Sequence, residues 1–398
     1  MKQLLGCIIF AFVMGLSPSW AATYYTSKSA TNGFVVGSDS NNCTALSTPC
    51  LTVNGAITGK MSGGDTLRIN DGTYAEEITT IPSSTSYAAA TQIQGYLGAS
   101  SAVTIRPANG SSRAITLSNK RYIIITDIIF DGTSQISDTA KVDSASDHIR
   151  FQRVTFQNGT NQGLLWAQAS FIECLTCISK NNGTNDSQHG IYISDSDSCL
   201  VQGGEHFGNA GGGVQIARDS PTGNVSEKIV SHNNKWGIID ADENGNTMRN
   251  NILYANTAEG LRIISASGEA AYNNSIYGNG AAGIYLETDT SGILLINNLS
   301  FGNVGAGITA NGSGHTQTTN QTTDPSWTNA AAHDFTLQAG STARDTGTDL
   351  SGTGFSTDAL GVSRVTWDKG AFEYVVPPPT RSIGLSGVVK PSGSVRFQ

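Results

Sequence analysis

The stretches NILYANTAEGLRI (251–263), NSIYGNGAAGIYL (274–286) and NLSFGNVGAGITA (298–310) carry one pattern three times. An Asn opens each. An aromatic residue stands three places on and a second Asn two beyond it; four residues later a Gly precedes an aliphatic residue. The Gly–aliphatic pair extends upstream. Gly190-Ile191, Gly213-Val214, Gly237-Ile238, Gly260-Leu261, Gly283-Ile284 and Gly307-Ile308 follow one another at steps of 23 or 24 residues. Four places before these glycines stand Asn209, Asn233, Asn256, Asn279 and Asn303, with Asp186 in the first copy. Self-similarity at a fixed period marks a repeat architecture.

Each copy holds only short β-like runs, such as GIYIS (190–194), GVQIA (213–217) and GIYLE (283–287), closed by Gly, Asn, Ser and Asp turns. No helical period of useful length separates them, and the leucine-rich pattern is absent. The fold class is therefore all-β, a parallel β-helix with one coil per copy and about 23–24 residues per coil. Asn suits the left-handed backbone of its sharp turns. Amides stacked about 4.8 Å apart can hydrogen-bond along the solenoid as a ladder. Weaker copies lie upstream: YIIITDIIFDG (122–132) matches HIRFQRVTFQNG (148–159), aligning Ile125 with Phe151 and Phe130 with Phe156. The solenoid is predicted over 65–335, between an N-terminal cap (23–64) and a C-terminal cap (336–375).

The ends bound where the protein works. MKQLLGCIIFAFVMGLSPSWAA (1–22) has a basic Lys2, an apolar run too short to span a bilayer, and small residues at a cleavage site. It reads as a secretory signal. No later segment is apolar enough to be a membrane span, so the product is expected to be exported: extracellular, periplasmic or cell-surface. Residues 376–398 read as a Pro-rich linker and a flexible tail. Charged residues are 14% of the chain and the net charge is −8, which leaves no basic patch for nucleic acid. Cys43 and Cys50 bracket a short loop and are expected to pair in an exported chain. Cys174, Cys177 and Cys199 have no second CxxC or paired His near them, so they read as buried cysteines rather than a zinc site.

Beyond the repeat, GGDTLRINDGTYAEEI (63–78) and the preceding SDSNNCTALSTPCLTVNGAI (38–57) resemble the opening coils of secreted right-handed β-helix proteins of the pectate-lyase-like superfamily. DPSW (324–327), DFTLQAGSTARDTG (334–347) and GVSRVTWDKGAFEY (361–374) resemble their C-terminal ends. The resemblance covers about 25–374. It implies a right-handed coil, in keeping with the handedness of parallel crossovers. It implies no single reaction, because the superfamily mixes lyases, epimerases, hydrolases and members without demonstrated activity.

Side chains alternate along a strand. With the aliphatic residue after each Gly inward, Tyr192, Gln215, Ile239, Arg262, Tyr285 and Thr309 form an outward column. His189, Trp236 and Glu259, each just before a Gly, flank it, and Lys235 sits at the turn. Such a strip suits a polysaccharide. Aromatic faces stack on sugars while Arg and Lys hold uronate carboxylates. Gln215, Trp236, Glu259 and Tyr285 are the expected substrate contacts. The resemblance implies proton abstraction beside a carboxylate, which makes Lys235, Arg262, His189 and Tyr192 the catalytic candidates. The chain lacks the R-x-P-x-x-R of pectate lyases, the stacked aspartates and G-H-G of polygalacturonases and the D-P-H-E of alginate epimerases. The readings are thus a lyase or epimerase of acidic glycan or, alternatively, a non-catalytic glycan-binding matrix protein or adhesin-type solenoid. A monomer is expected.

Acids gather at the far end of the same strands: Asp195, Asp197, Asp219, Asp240, Asp242, Glu243, Glu287 and Asp289. Stacked carboxylates repel unless hydrated or bridged, and Ca2+ is the natural bridge, with Asp240, Asp242 and Glu243 the expected ligands. DADENGN (240–246) imitates half an EF-hand loop. No helices flank it, and Asn251, at its twelfth position, belongs to the Asn series instead. Asp240 falls where Ile216, Ile263 and Leu286 point inward. Either its strand ends early or it has a partner such as a cation.

Overall fold

The computed structural model describes residues 21–376, apart from 109, 111, 219–221 and 243. The predicted signal up to residue 20 and the tail beyond 376 lie outside the described residues, as do Asp219 and Glu243. Each full coil gives one strand to each of three parallel sheets, of 12, 10 and 9 strands. In one coil these are Thr247–Arg249 in the first sheet, Ile252–Tyr254 in the second and Leu261–Ile264 in the third. Ile191, Val214, Ile238, Leu261 and Ile284 stack in register and are fully buried. Each such side chain contributes about 1.5–3 kcal/mol of apolar burial. No helix of the described residues is long and apolar enough to cross a membrane.

The Asn ladders form, with a division of labour that the repeat does not announce. Asn209, Asn234, Asn256, Asn279 and Asn303 make one ladder between the second and third sheets, extended upstream by Asn182. Each Oδ1 accepts both the backbone N–H and the side-chain amide of the Asn one coil back, at 2.9–3.3 Å. Asn251, Asn274, Asn298 and Asn320 form a second ladder between the first and second sheets. The left-handed conformation belongs to the residue before each ladder Asn: Asn250, Asn273 and Asn297 in the second ladder, Gly208, Asn233, Ala255, Gly278 and Gly302 in the first. Asn233, placed in the ladder by spacing, is thus the turn residue and Asn234 the ladder member. Asp186 is no ladder member either; Asn182 fills that place.

The two ends differ from a simple pair of plugs. Thr23–Thr26 pairs in parallel with Thr66–Ile69 and is already the first rung of the first sheet. The Cys43–Cys50 disulfide and the short helix Val53–Ile57 close that end. Cys174 and Cys177 also form a disulfide, and Cys199 is a buried free thiol. After the rung Thr316–Thr318 the chain leaves the stack as an antiparallel hairpin of Trp327–Asn329 and Asp334–Leu337. The hairpin covers an aromatic column on the outside of the second sheet, which includes His232, Tyr254 and Tyr277 in register. The chain then returns along the first sheet, packing Phe355 and Trp367 near Tyr272. Buried Arg364 ties this strap to the solenoid by donating to Asn250 Oδ1 at 2.8 Å, and pairs with Glu373 within the strap.

Candidate functional site

The third sheet carries the predicted strip on its outer face. Register places Tyr192, Gln215, Ile239, Arg262, Tyr285 and Thr309 on successive rungs of one column. A groove of about 400 Å³ opens there. Ala217, Ile239, Ala241 and Ile264 give it an apolar floor, and His189, Tyr192, Gln215, Trp236 and Arg262 line it. Tyr285 lies one rung further on, and neither it nor Lys235 and Glu259 is among the groove's lining residues. Those two act through Trp236: Glu259 accepts its indole N–H at 2.7 Å, and the Lys235 ammonium sits 4.3 Å from its ring centre.

The catalytic candidates are held by partners. Lys235 pairs with Asp186, and Arg262 pairs with Glu287 while lying over the Trp236 ring. His189 is buried, and the loss of hydration pushes its imidazole down to about 3. Its Nδ1 accepts the Gly212 N–H at 2.8 Å, so the neutral ring carries its proton on Nε2. His189 is therefore a hydrogen-bond donor, without a free lone pair to act as base. Its ring meets Tyr192 edge-on at 5.4 Å, which leaves the Tyr192 phenol as the candidate for proton transfer that has no side-chain hydrogen bond among the described residues.

Two residues that spacing did not single out matter here. Arg218 lines the groove, is exposed, and has no ion-pair partner among the described residues. By register it stands between Asp195 and Asp242, one residue beyond the paired strand ends Ser194, Ala217 and Ala241. A basic residue inside an acidic turn column was the available signal. The second is Glu269. The strand Trp236–Ala241 does not end early, and Asp240 points inward and is fully buried. Its partner is Glu269, which occupies the place held by Asn224 and Asn246 in a third, shorter ladder. Asn246 donates its amide N–H to Glu269 and its side-chain amide to Asp240, the latter at 3.3 Å. Among the described residues Asp240 Oδ2 and Glu269 Oε1 have no other donor, and one proton shared between them satisfies both. Burial raises both groups well above the usual carboxylate range, and the charge of Asp240 raises Glu269 further.

The acids predicted to bind calcium are thus not gathered. Asp240 faces the interior, Asp242 lines the groove, and Glu243 lies outside the described residues. Among the described residues, which do not include Glu243, no three His, Cys, Asp or Glu side chains converge on a metal-sized site.

Residues 164–323 match the family model for a right handed beta helix region. No curated protein matches the chain. Among solved structures, the pectate lyase Pel9A superposes with a TM-score of 0.70 at 16% identity, over 89% of this chain and 97% of that one. The A-module of the Azotobacter vinelandii mannuronan C-5 epimerase AlgE4 gives 0.49 at 14% identity, over 60% and 69%. A rhamnogalacturonan lyase gives 0.47 at 13% identity, over 76% and 87%. At these identities the likeness is one of fold: the chain is a right-handed parallel β-helix.

Proposed function

We propose that this is an exported β-helix protein that binds acidic polysaccharide in the groove on its third sheet. One observation carries the reading. The outward strip of this sheet converges on a single groove whose walls combine aromatic rings with Arg218 and Arg262. Guanidinium groups clasp carboxylates bidentately, and the apolar floor takes the sugar's C–H face. Export is supported by the two disulfides, which persist in oxidising compartments.

The chemistry such a groove would perform is proton removal from the carbon beside a uronate carboxylate, as in lyases and epimerases. Arg218 and Arg262 would stabilise the charge that develops on the carboxylate, and Tyr192, entering the step as its phenolate, would take the proton and become the neutral phenol. The His189 Nε2–H would serve as a donor. The solved neighbours include a pectate lyase and a mannuronan epimerase, which fits this class. A second reading, glycan binding without turnover, is favoured by the ion pairs that occupy Lys235 and Arg262. Incubation with polygalacturonate and alginate separates the two. Unsaturated product or an altered uronate composition supports catalysis, and binding alone supports the second reading. Absence of both binding and turnover refutes the site.

A further inference from the structure

A second groove, of about 440 Å³, lies at the corner between the third and first sheets, nearer the N-terminal end. Tyr122, His148 and Phe171 occupy the same turn position in three consecutive coils there. All three have left-handed backbones, with φ of 53°, 54° and 55°. The later coils put Ser198 and then Gly223, Gly245, Gly268, Gly292 and Gly314 at that position, every one with positive φ. Glycine is the unstrained choice, and an aromatic residue there is held against its backbone preference. Strain of this kind concentrates at sites of function.

The rings form a stack. Tyr122 and His148 lie 4.7 Å apart and His148 and Phe171 5.0 Å apart, close to parallel, with Tyr87 packed edge-on against the first two. The stack ends at Phe171, whose next neighbour along the solenoid is Ser198. Phe171 is 49% exposed and lines the groove. The polar rim is acidic. Asp147 is held by His148 at 2.8 Å and pairs with Arg121 at 3.5 Å, whereas Asp195 has no ion-pair partner among the described residues and its buried Oδ1 has no hydrogen-bond donor among them. Its other oxygen, Oδ2, accepts only a long 3.4 Å contact from Ser194 Oγ and keeps lone pairs for a further donor.

We infer that this corner is a second saccharide site, in which an uncharged pyranose stacks on the open end of the Phe171 ring and donates a hydroxyl to Asp195. The aromatic face suits sugar C–H groups. Asp195, without an ion-pair partner among the described residues, disfavours a uronate, so this site and the Arg-bearing groove select opposite chemistries. The inference stands independently of turnover in the first groove.

The test is affinity electrophoresis of the full chain through gels containing galactan, xylan, mannan or β-glucan, with polygalacturonate as the charged control. At least one neutral glycan retards the protein. Phe171→Gly, which adopts the backbone already found in five later coils, weakens that retardation at least tenfold. Asp195→Asn weakens it several-fold. Arg262→Ala leaves it unchanged. Failure of every neutral glycan to retard the protein overturns the inference, as does undiminished binding by Phe171→Gly or stronger binding of polygalacturonate through this corner.

Discussion

The Asp240–Glu269 pair makes the stability of this protein depend on pH in a specific direction. Both carboxyls are raised by burial, and Glu269 also by its Asp240 neighbour, so the folded state keeps a proton that the unfolded chain releases at about pH 4. A group raised on folding stabilises fully below its unfolded pKa and loses that contribution as pH rises through the folded one. While the folded pair holds one proton more than the unfolded chain, each pH unit costs about 1.4 kcal/mol. Between pH 5.5 and 7.5 the loss is about 3 kcal/mol. Other buried groups titrate too: Glu373 is raised to about 7, and His189 and His206 are lowered to about 3 with the opposite pH sign. The assay therefore reads a difference, urea denaturation of wild type against Glu269→Gln at each pH. The Gln amide donates to Asp240 permanently, while its carbonyl accepts the Asn246 N–H. The variant should match wild type near pH 5 and exceed it by about 3 kcal/mol near pH 7.5. Parallel stability curves for the two proteins would refute the shared proton.

Further outcomes follow from the ladders, the strap and the groove. Asn256→Ala orphans the buried Asn234 N–H and should cost about 2–4 kcal/mol, read by denaturant midpoint. Asn233→Gly, which keeps the turn conformation, should change stability by less than about 1 kcal/mol, so the pair separates ladder from turn. Arg364→Met leaves Glu373 buried without its cation and should destabilise by about 3–5 kcal/mol, exposing the strap to limited proteolysis. Tyr192→Phe should abolish any uronate turnover while changing glycan affinity by less than about threefold, within one lost hydrogen bond.

The period, the inward aliphatic columns and the outward strip were legible because a solenoid repeats its environment every coil: a residue's neighbours are the equivalent residues one period away. The same logic exposed Asp240 as the one acid in an aliphatic column. It did not reveal Glu269, because a carboxylate replacing a ladder Asn looks like an ordinary turn residue until its lone pairs are seen facing Asp240. Asn233 and Asn234 show a second limit. The segment from ladder Asn to Gly is three residues there instead of four, so counting four back from Gly237 lands on the turn. Among the acids clustered along the sequence, Asp240 stays inside the strand Trp236–Ala241 and faces the core, whereas Asp242 stands just past the strand end, where a left-handed backbone (φ 62°) turns the chain and brings it to the groove. The C-terminal strap lay beyond reach for a different reason. Its contacts join residues about a hundred apart with no period between them, such as Asn250 to Arg364. The aromatic column it covers was visible only as a repeated Tyr or Phe.

The most direct test of the central claim is a calorimetric titration of oligogalacturonate into wild type and Arg218→Ala/Arg262→Ala, with melting temperature as the folding control. Two lost charge-assisted contacts predict affinity at least tenfold weaker in the variant with unchanged melting. Equal affinity in a folded variant would contradict the assignment of the third-sheet groove as the site of acidic glycan binding.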